Sequence, residues 1–447
     1  MPIFKKSTPV ARWIALCVAA SATGSALATN GYFPVGYGMK AQGMGGTSVA
    51  SSDNAFAGAN NPAAAAWSGT RIDAGASIFS PKRGYSRTDA FGNGALAGSQ
   101  DSDSNAFLVP EFGYNRSLND KMGVGLTVYG NGGMNTDYAG GNTGCAMDLT
   151  DPVNTAYMGN GLCGMGKLGV NLIQLIVAPT LAYKVSPNHS VGVSPLLVYQ
   201  RFKAEGLQAF TQWSGMPGNV TNNGNASSNG IGVRLGYFGK LSDAVSVGIS
   251  HSPKINMSEF GKYSGLFANG GDFDIPANTS FGFSAQVTPT VRVAFDRTSI
   301  KYSGVPSVSN PSANAMVAGL GGVGSGGFGW TDVAVTKLGV EWQQSATLTL
   351  RTGINVGENP VQSSDVTFNI IAPGVTKRHL TFGGTYALSK QSELTFAYVH
   401  VPKVSVTGPS MFNGIVQQQL GFVPNPPFME TIQMSQRSIG LQYSWKF

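Results

Sequence analysis

Cys145 and Cys163 sit in one glycine-rich stretch, and a thiol pair can ligate a metal, cycle in a redox reaction or close a disulfide. A metal needs further nitrogen or sulfur ligands, and no histidine lies within twenty residues of either cysteine. The four histidines, His189, His251, His379 and His400, are scattered singly and read as ordinary strand or turn residues. The run Gly159-Asn160-Gly161-Leu162-Cys163-Gly164 fits the G-x-G-x-x-G pattern that cradles a pyrophosphate. It lacks the strand-then-helix context that makes the pattern work, and 61 glycines in 447 residues make a chance match expected. Neither an H-E-x-x-H zinc motif nor a G-x-S-x-G nucleophile elbow occurs. A hydrolase would need a Ser/His or Asp/His group, and these sparse histidines offer none. No catalytic site, metal or cofactor is expected.

The N-terminus decides which thiol chemistry applies. Lys5, Lys6 and Arg12 precede an apolar run from Trp13 to Ala22, and Ala26-Leu27-Ala28 forms an A-x-A cleavage site before Thr29. Residues 1–28 therefore read as an export signal, with an apolar run too short to cross a bilayer as a helix. Outside the cytoplasm an isolated cysteine pair closes a disulfide, so Cys145 and Cys163 are expected to be bonded.

Composition narrows the rest. Only 11% of residues are charged, against about 25% in soluble domains, yet 42% are hydrophobic and 10% aromatic, too many for disorder. The formal charge is +7, three of it in the leader, and the remaining basic residues are spread singly, with no stripe suited to nucleic acid. The longest apolar run after the leader, Leu172 to Val185, carries Gln174 and is broken by Pro179, so helical membrane spans are excluded.

What recurs is a period of two. At the C-terminus Ile439, Leu441, Tyr443, Trp445 and Phe447 alternate with Ser438, Gly440, Gln442, Ser444 and Lys446. Val191, Val193, Leu197 and Tyr199 oppose Gly192, Ser194 and Gln200; Ile231, Val233, Leu235 and Tyr237 oppose Arg234. Similar faces place Arg292 and Asp296, Lys337 and Glu341, Arg351, and Glu393 on the polar side of their strands. Charges at mid-strand fit a narrow aqueous interior, because on a lipid face each cation costs about 2–4 kcal/mol at mid-depth. Short polar turns alternate with seven long polar connections, near 85–104, 131–169, 207–227, 257–273, 304–326, 360–374 and 405–430. The pattern predicts an all-β chain, a fourteen-stranded antiparallel transmembrane β-barrel over 70–447, its short turns on the periplasmic side.

Residues 29–69 fit no strand. Gly43-Met44-Gly45-Gly46 is small-residue rich, and Asp53 to Ala66 reads as short helical turns interrupted at Asn61-Pro62. Too polar for lipid and too apolar for a free tail, the segment is expected inside the lumen as an N-terminal hatch. The hatch motif Asn61-Pro62-Ala63, with Asn30-Gly31-Tyr32-Phe33 and Gly43-Met44-Gly45-Gly46 ahead of it, resembles the FadL family of outer-membrane transporters. The likeness extends through Val128 to Met134, Tyr199 to Phe202, Gly271 to Pro276 and the terminal Phe447. It implies passive uptake of hydrophobic small molecules: long-chain fatty acids first, toluene-like hydrocarbons as the alternative, a general diffusion porin as the further one. It also implies a groove among outer loops, a pocket in the barrel, and sideways exit at a kink in the third strand. Gly130-Asn131-Gly132-Gly133 stands where that kink belongs, and glycine inside a strand independently suggests a bulge.

A hydrophobic ligand is bound by burying apolar area, at about 25 cal/mol per Å². Two outer connections carry apolar residues at roughly helical spacing: Leu207, Phe210, Trp213 and Met216, then Met257, Phe260, Tyr263, Leu266 and Phe267. A carboxylate ligand would need an inward cation, for which Arg201, Arg234, Arg292 and Arg351 are candidates. The expected partners are the hydrophobic substrate, outer-membrane lipid and lipopolysaccharide, and the barrel assembly machinery reading Phe447. No nucleic acid is expected, and the chain is expected to act as a monomer.

Overall fold

The computed structural model describes residues 30–92, 94–145 and 157–447, so the export signal expected over 1–28 lies outside the described residues. The wall opens with β1 Arg71–Arg87, β2 Phe107–Ser117, β3 Met122–Tyr138 and β4 Leu168–Ser186. It continues with β5 His189–Glu205, β6 Ala226–Lys240, β7 Val245–Ser252, β8 Asn278–Thr288 and β9 Val291–Ile300. The last five are β10 Val333–Gln343, β11 Leu348–Gly357, β12 Arg378–Ala387, β13 Ser392–Pro409 and β14 Met429–Lys446. Each pairs antiparallel with the next, and β14 returns to β1 from Arg71↔Lys446 to Arg87↔Glu430. The fourteen-stranded barrel is therefore closed, which removes the edges that lipid could not satisfy.

Alternation sets the two faces. On β14 Leu441 and Tyr443 are exposed on the outside, while Gln442 and Ser444 are buried within. The aromatics Tyr443 and Trp445 lie near the end with short turns, the depth at which an interfacial girdle forms. Arg201 is placed on the outside, which corrects the inward assignment: Gln200 and Phe202 on either side of it are buried, so period two turns Arg201 outward beside Tyr199.

The third strand also differs from expectation. The connection expected over 131–169 begins only after Tyr138, because β3 stays paired with β4 through the glycine run and on to Tyr138↔Leu168. The glycines form a bulge, with the register shifting between Gly130 and Gly132 and Asn131 as the extra residue.

Residues 30–70 lie within the ring of strands as a short helix, Met39–Gly43, a 3-10 turn, Pro62–Ala66, and connecting turns. Asn61 caps the 3-10 turn by accepting the Ala63 N–H, and its amide donates to the carbonyls of Val49 and Tyr237, each at 2.8 Å. The wall holds this segment from many sides. Gly38, Gly45, Ser48 and Ala55 donate backbone N–H groups to Glu111 on β2, Thr381 on β12, Asp296 on β9 and Asp73 on β1. Inward glycines make the room: a Cβ built on Gly123 would stand 2.1 Å from the Ala65 carbonyl oxygen, and one on Gly248 2.1 Å from that of Val49.

Candidate functional site

Under the outer loops lies an apolar cavity. Its floor comes from the outer ends of strands, Val170 of β4 and Phe202 of β5, where alternation points them inward. Its walls come from loops: Leu207 and Phe210, Leu266 and Phe267, Leu320 and Phe328, Phe368 and Ile371. Leu162 completes the lining, and its loop is fixed twice. The Cys145–Cys163 disulfide closes it, and the Asn160 side chain accepts the N–H groups of Leu162 and Gly164 while donating to the Gly206 carbonyl at 2.9 Å.

The nine loop residues singled out in the sequence divide here. Leu207, Phe210, Leu266 and Phe267 face the cavity. Trp213 backs it, with its ring 5.4 Å from that of Phe210. Phe260 and Tyr263 are buried instead against Phe202, at 5.6 and 4.8 Å, and Met257 is buried with its N–H on Asp274. They form the loop's own core. Met216 is 50% exposed and belongs to neither.

A chain of rings leads inward. Phe267 meets Phe273 at 5.0 Å, Phe273 meets Tyr32 at 6.2 Å, and Tyr32 stacks on Phe33 at 5.4 Å. Tyr302 locks this end of the N-terminal segment, donating to the Asn30 carbonyl at 2.6 Å and accepting the Tyr32 N–H at 3.2 Å. Asp272 and Asp274 flank Phe273. Lys254 and the Met257 N–H satisfy Asp274, whereas burial, then the adjacent Asp274 carboxylate, pushes the Asp272 carboxyl up to about 6.

The ring chain ends on Pro34 to Tyr37, which line a second cavity at the wall. Its other side is Val109, Pro110 and Glu111 of β2 with Tyr129 and Gly130 of β3. Here the wall itself is incomplete. β2 and β3 pair from Ser117↔Gly123 to Phe112↔Val128 and no further, although β3 continues on β4 and β2 continues on β1. Two residues account for the parting: Pro110 has no N–H to give the ladder, and the Asn131 bulge bends β3. Asn131 is turned inward and buried, accepting from the Tyr37 hydroxyl at 3.0 Å and donating to Gln174 at 3.0 Å. Of the glycines around it, Gly130 lines this cavity and Gly133 a neighbouring one. Pro110, Glu111, Tyr37 and Asn131's inward turn were missed in the sequence, although a proline inside an alternating strand was a readable signal.

Inward cations hold the N-terminal segment. Arg234 donates to the carbonyls of Gly58 and Ala59 and to the Tyr129 hydroxyl. Lys337 donates to the carbonyls of Val35 and Gly46, at 3.0 and 3.3 Å. Arg292 pairs with Asp53 and Glu341, and Arg351 with Glu341 and the Thr385 hydroxyl. Among the described residues no group of histidine, cysteine and carboxylate side chains could hold a metal ion.

The family model described as outer membrane protein transport protein (OMPP1/FadL/TodX) matches residues 15–447. Among solved structures, the toluene transporter TodX of P. putida is similar at 19% identity and a TM-score of 0.63, covering 92% of this chain and 99% of its own. A Pseudomonas aeruginosa FadL homologue is similar at 16% identity and a TM-score of 0.66, covering 93% and 100%. The Ralstonia pickettii toluene transporter TbuX follows at 17% and 0.59, covering 92% and 99%. At such identities the structural likeness carries the fold. No curated protein matches the chain by sequence.

Proposed function

We propose, from the premise that this chain belongs to the OMPP1/FadL/TodX family of outer-membrane transport proteins, a route by which it moves its hydrophobic cargo. A molecule enters the apolar cavity under the loops, passes the rings of Phe273 and Tyr32, and reaches the wall cavity. It leaves sideways between β2 and β3 into the membrane. Residues 29–69 act as the hatch that keeps polar solutes out of the lumen. No energy source is needed, since apolar molecules partition downhill into lipid.

The observation that carries the lateral step is the parting of β2 from β3 after Phe112↔Val128, with a cavity at that place. A diffusion porin would need a wet lumen, and here the N-terminal segment occupies it. The cargo is read as neutral and hydrophobic, with toluene-like hydrocarbons ahead of long-chain fatty acids. A fatty acid asks for an inward cation free to meet its carboxylate, whereas Arg234, Arg292 and Arg351 are each engaged. Uptake of radiolabelled toluene and oleate by whole cells with and without the gene tests the reading. Gene-dependent entry of toluene ahead of oleate supports it, entry of oleate alone would reverse the order of cargo, and entry of neither would overturn the transport reading.

A further inference from the structure

The outward face of the barrel changes character where its apolar side chains stop. On β14 Tyr443, Leu441 and Ile439 are exposed in turn from the short-turn end, and the next outward residue is Arg437. In the same way Leu380 of β12 gives way to Arg378, and Tyr398 of β13 to His400. Lys82 follows Ile78 and Ser80 on β1, and Lys403 stands exposed in the bulge where β13 shifts register between Val401 and Val404. Beyond this level the outward residues are polar: Ser435, Gln433 and Thr431 on β14, Ser405 and Thr407 on β13. Arg378, Lys403, Arg437 and Lys82 thus mark one boundary, on the long-loop side of the apolar band, across the consecutive strands β12, β13, β14 and β1.

These cations are crowded and uncompensated. Arg437 stands directly opposite His400 on one side and Ser80 on the other. Lys82, two residues past Ser80, is its diagonal neighbour, a separation of about 7–8 Å in an antiparallel sheet. Among the described residues none of the four pairs with a carboxylate. The carboxylates of these strands, Asp73, Glu393 and Glu430, are all buried on the inner face and paired with cations there. The outward face of the four strands therefore carries positive charge alone. Like charges side by side oppose the fold, and an anion bound between them removes that opposition.

The membrane supplies an anion at this depth. The outer leaflet of an outer membrane is lipopolysaccharide, a glycolipid whose sugars carry phosphates where the acyl chains end and the polar layer begins. Arginine meets phosphate as a fork and lysine as a point charge, and both bonds are charge-assisted. The apolar side chains below, Leu380, Tyr398 and Ile439, offer the acyl chains a surface to lie on. We propose that the outer face of β12, β13, β14 and β1 is a binding site for lipopolysaccharide, its phosphates held by Arg378, Lys403, Arg437 and Lys82. The site is separate from the cargo route, so either can fail without the other.

The test is binding to the refolded full chain in detergent, read by native mass spectrometry. The probes are bisphosphorylated lipid A, the same lipid dephosphorylated, and phosphatidylglycerol. Wild type should bind the first at least about tenfold more tightly than either of the others. Replacing all four cations, as Lys82→Gln, Arg378→Gln, Lys403→Gln and Arg437→Gln in one chain, should weaken lipid A binding by about a hundredfold, a few-fold for each charge removed. Arg201→Gln with Arg297→Gln, on the outward face of β5 and β9, should bind lipid A like wild type. Equal binding of the dephosphorylated lipid, or wild-type affinity in the fourfold variant, would overturn the proposal. So would equal binding of phosphatidylglycerol or an equal loss in the β5 and β9 variant, either of which marks a charged surface without a site. Displacement of lipid A by inorganic phosphate at matched concentration would assign the face to free phosphate instead. The four side chains point away from the fold, so the variant should assemble. If it does not, Lys82→Gln with Arg437→Gln decides, and an unchanged affinity in that pair overturns the proposal.

Discussion

Gly132 of β3 lies hard against the backbone of Tyr32: a Cβ built on the glycine would stand 2.0 Å from the Tyr32 carbonyl oxygen. The bulge in the wall and the backbone of Tyr32 in the aromatic chain are therefore in direct contact.

The first prediction follows from that contact. Gly132→Ala inserts a methyl where none fits, and overpacking of this kind costs about 1–3 kcal/mol. The barrel should still insert, since the strands on either side are paired. Its heat-induced unfolding, read as the mobility shift on cold gels, should come at a lower temperature than wild type. An unchanged midpoint would show that Tyr32 moves aside freely.

A second prediction concerns the inward glycines that make room for residues 30–70. Gly123→Val and Gly248→Val drive side chains into the Ala65 and Val49 carbonyls. Both should displace the segment and raise the conductance of the barrel in planar bilayers. Deletion of 29–69 should raise it further. Wild-type conductance in the deletion would mean that the segment does not close the lumen.

The third prediction is local to the loops. Reducing Cys145–Cys163, or replacing both by serine, frees a loop whose closure is worth about 3 kcal/mol in the chain-entropy model. Leu162 then leaves the outer cavity part of the time. Binding of a hydrophobic fluorophore to the purified barrel should weaken several-fold, with its mid-strand structure unchanged. Equal affinity before and after reduction would remove Leu162 and its loop from the site.

The fourth prediction is a pH dependence. Asp272 has its pKa raised to about 6 by burial and by Asp274, so the folded loop holds its proton more tightly than the unfolded chain does. Its favourable contribution is complete below the unfolded value near 4 and is lost as pH rises through about 6. Hydrogen exchange at Phe273, corrected for its intrinsic pH dependence, should therefore be slower at pH 5 than at pH 7.5. Asp272→Asn should flatten that difference, and a difference that persists in the variant points to another group.

Much of this arrangement is legible in the chain because it depends on period two. The alternation from Ile439 to Trp445 fixes inside and outside without help from neighbours, and the isolated cysteine pair needs no neighbour either. The same period already placed Arg201 beside Tyr199 on the outside, so its inward assignment went against the pattern. What could not be read depends on two distant segments meeting. The glycines at 123 and 248 look like loose composition until Ala65 and Val49 lie against them. Phe260, Tyr263 and Phe267 all pack on Phe202, and only the folded loop shows that Phe267 also faces the cavity while the other two do not.

The last prediction addresses the opening itself. β3 keeps its pairing with β4 by spending Asn131 as an extra residue, and it loses β2 past Val128. Deleting Asn131 removes the extra residue, so β3 can run straight and approach β2 along Val109 and Glu111. Pro110 still lacks an N–H, so Pro110→Val in the same chain completes the donor set for the ladder. The double variant should assemble, because β14, the short turns and the outer cavity are untouched. It should also bind hydrophobic fluorophore like wild type, since Leu207, Phe210, Leu266 and Phe267 lie in other loops. Toluene uptake should fall by about tenfold or more, the effect of adding roughly 1.4 kcal/mol to the barrier when the sideways path closes. Pro110→Val alone, with the bulge in place, should lose less. Wild-type uptake by a well-inserted double variant would exclude the gap between β2 and β3 as the way out and direct attention to passage past the N-terminal segment.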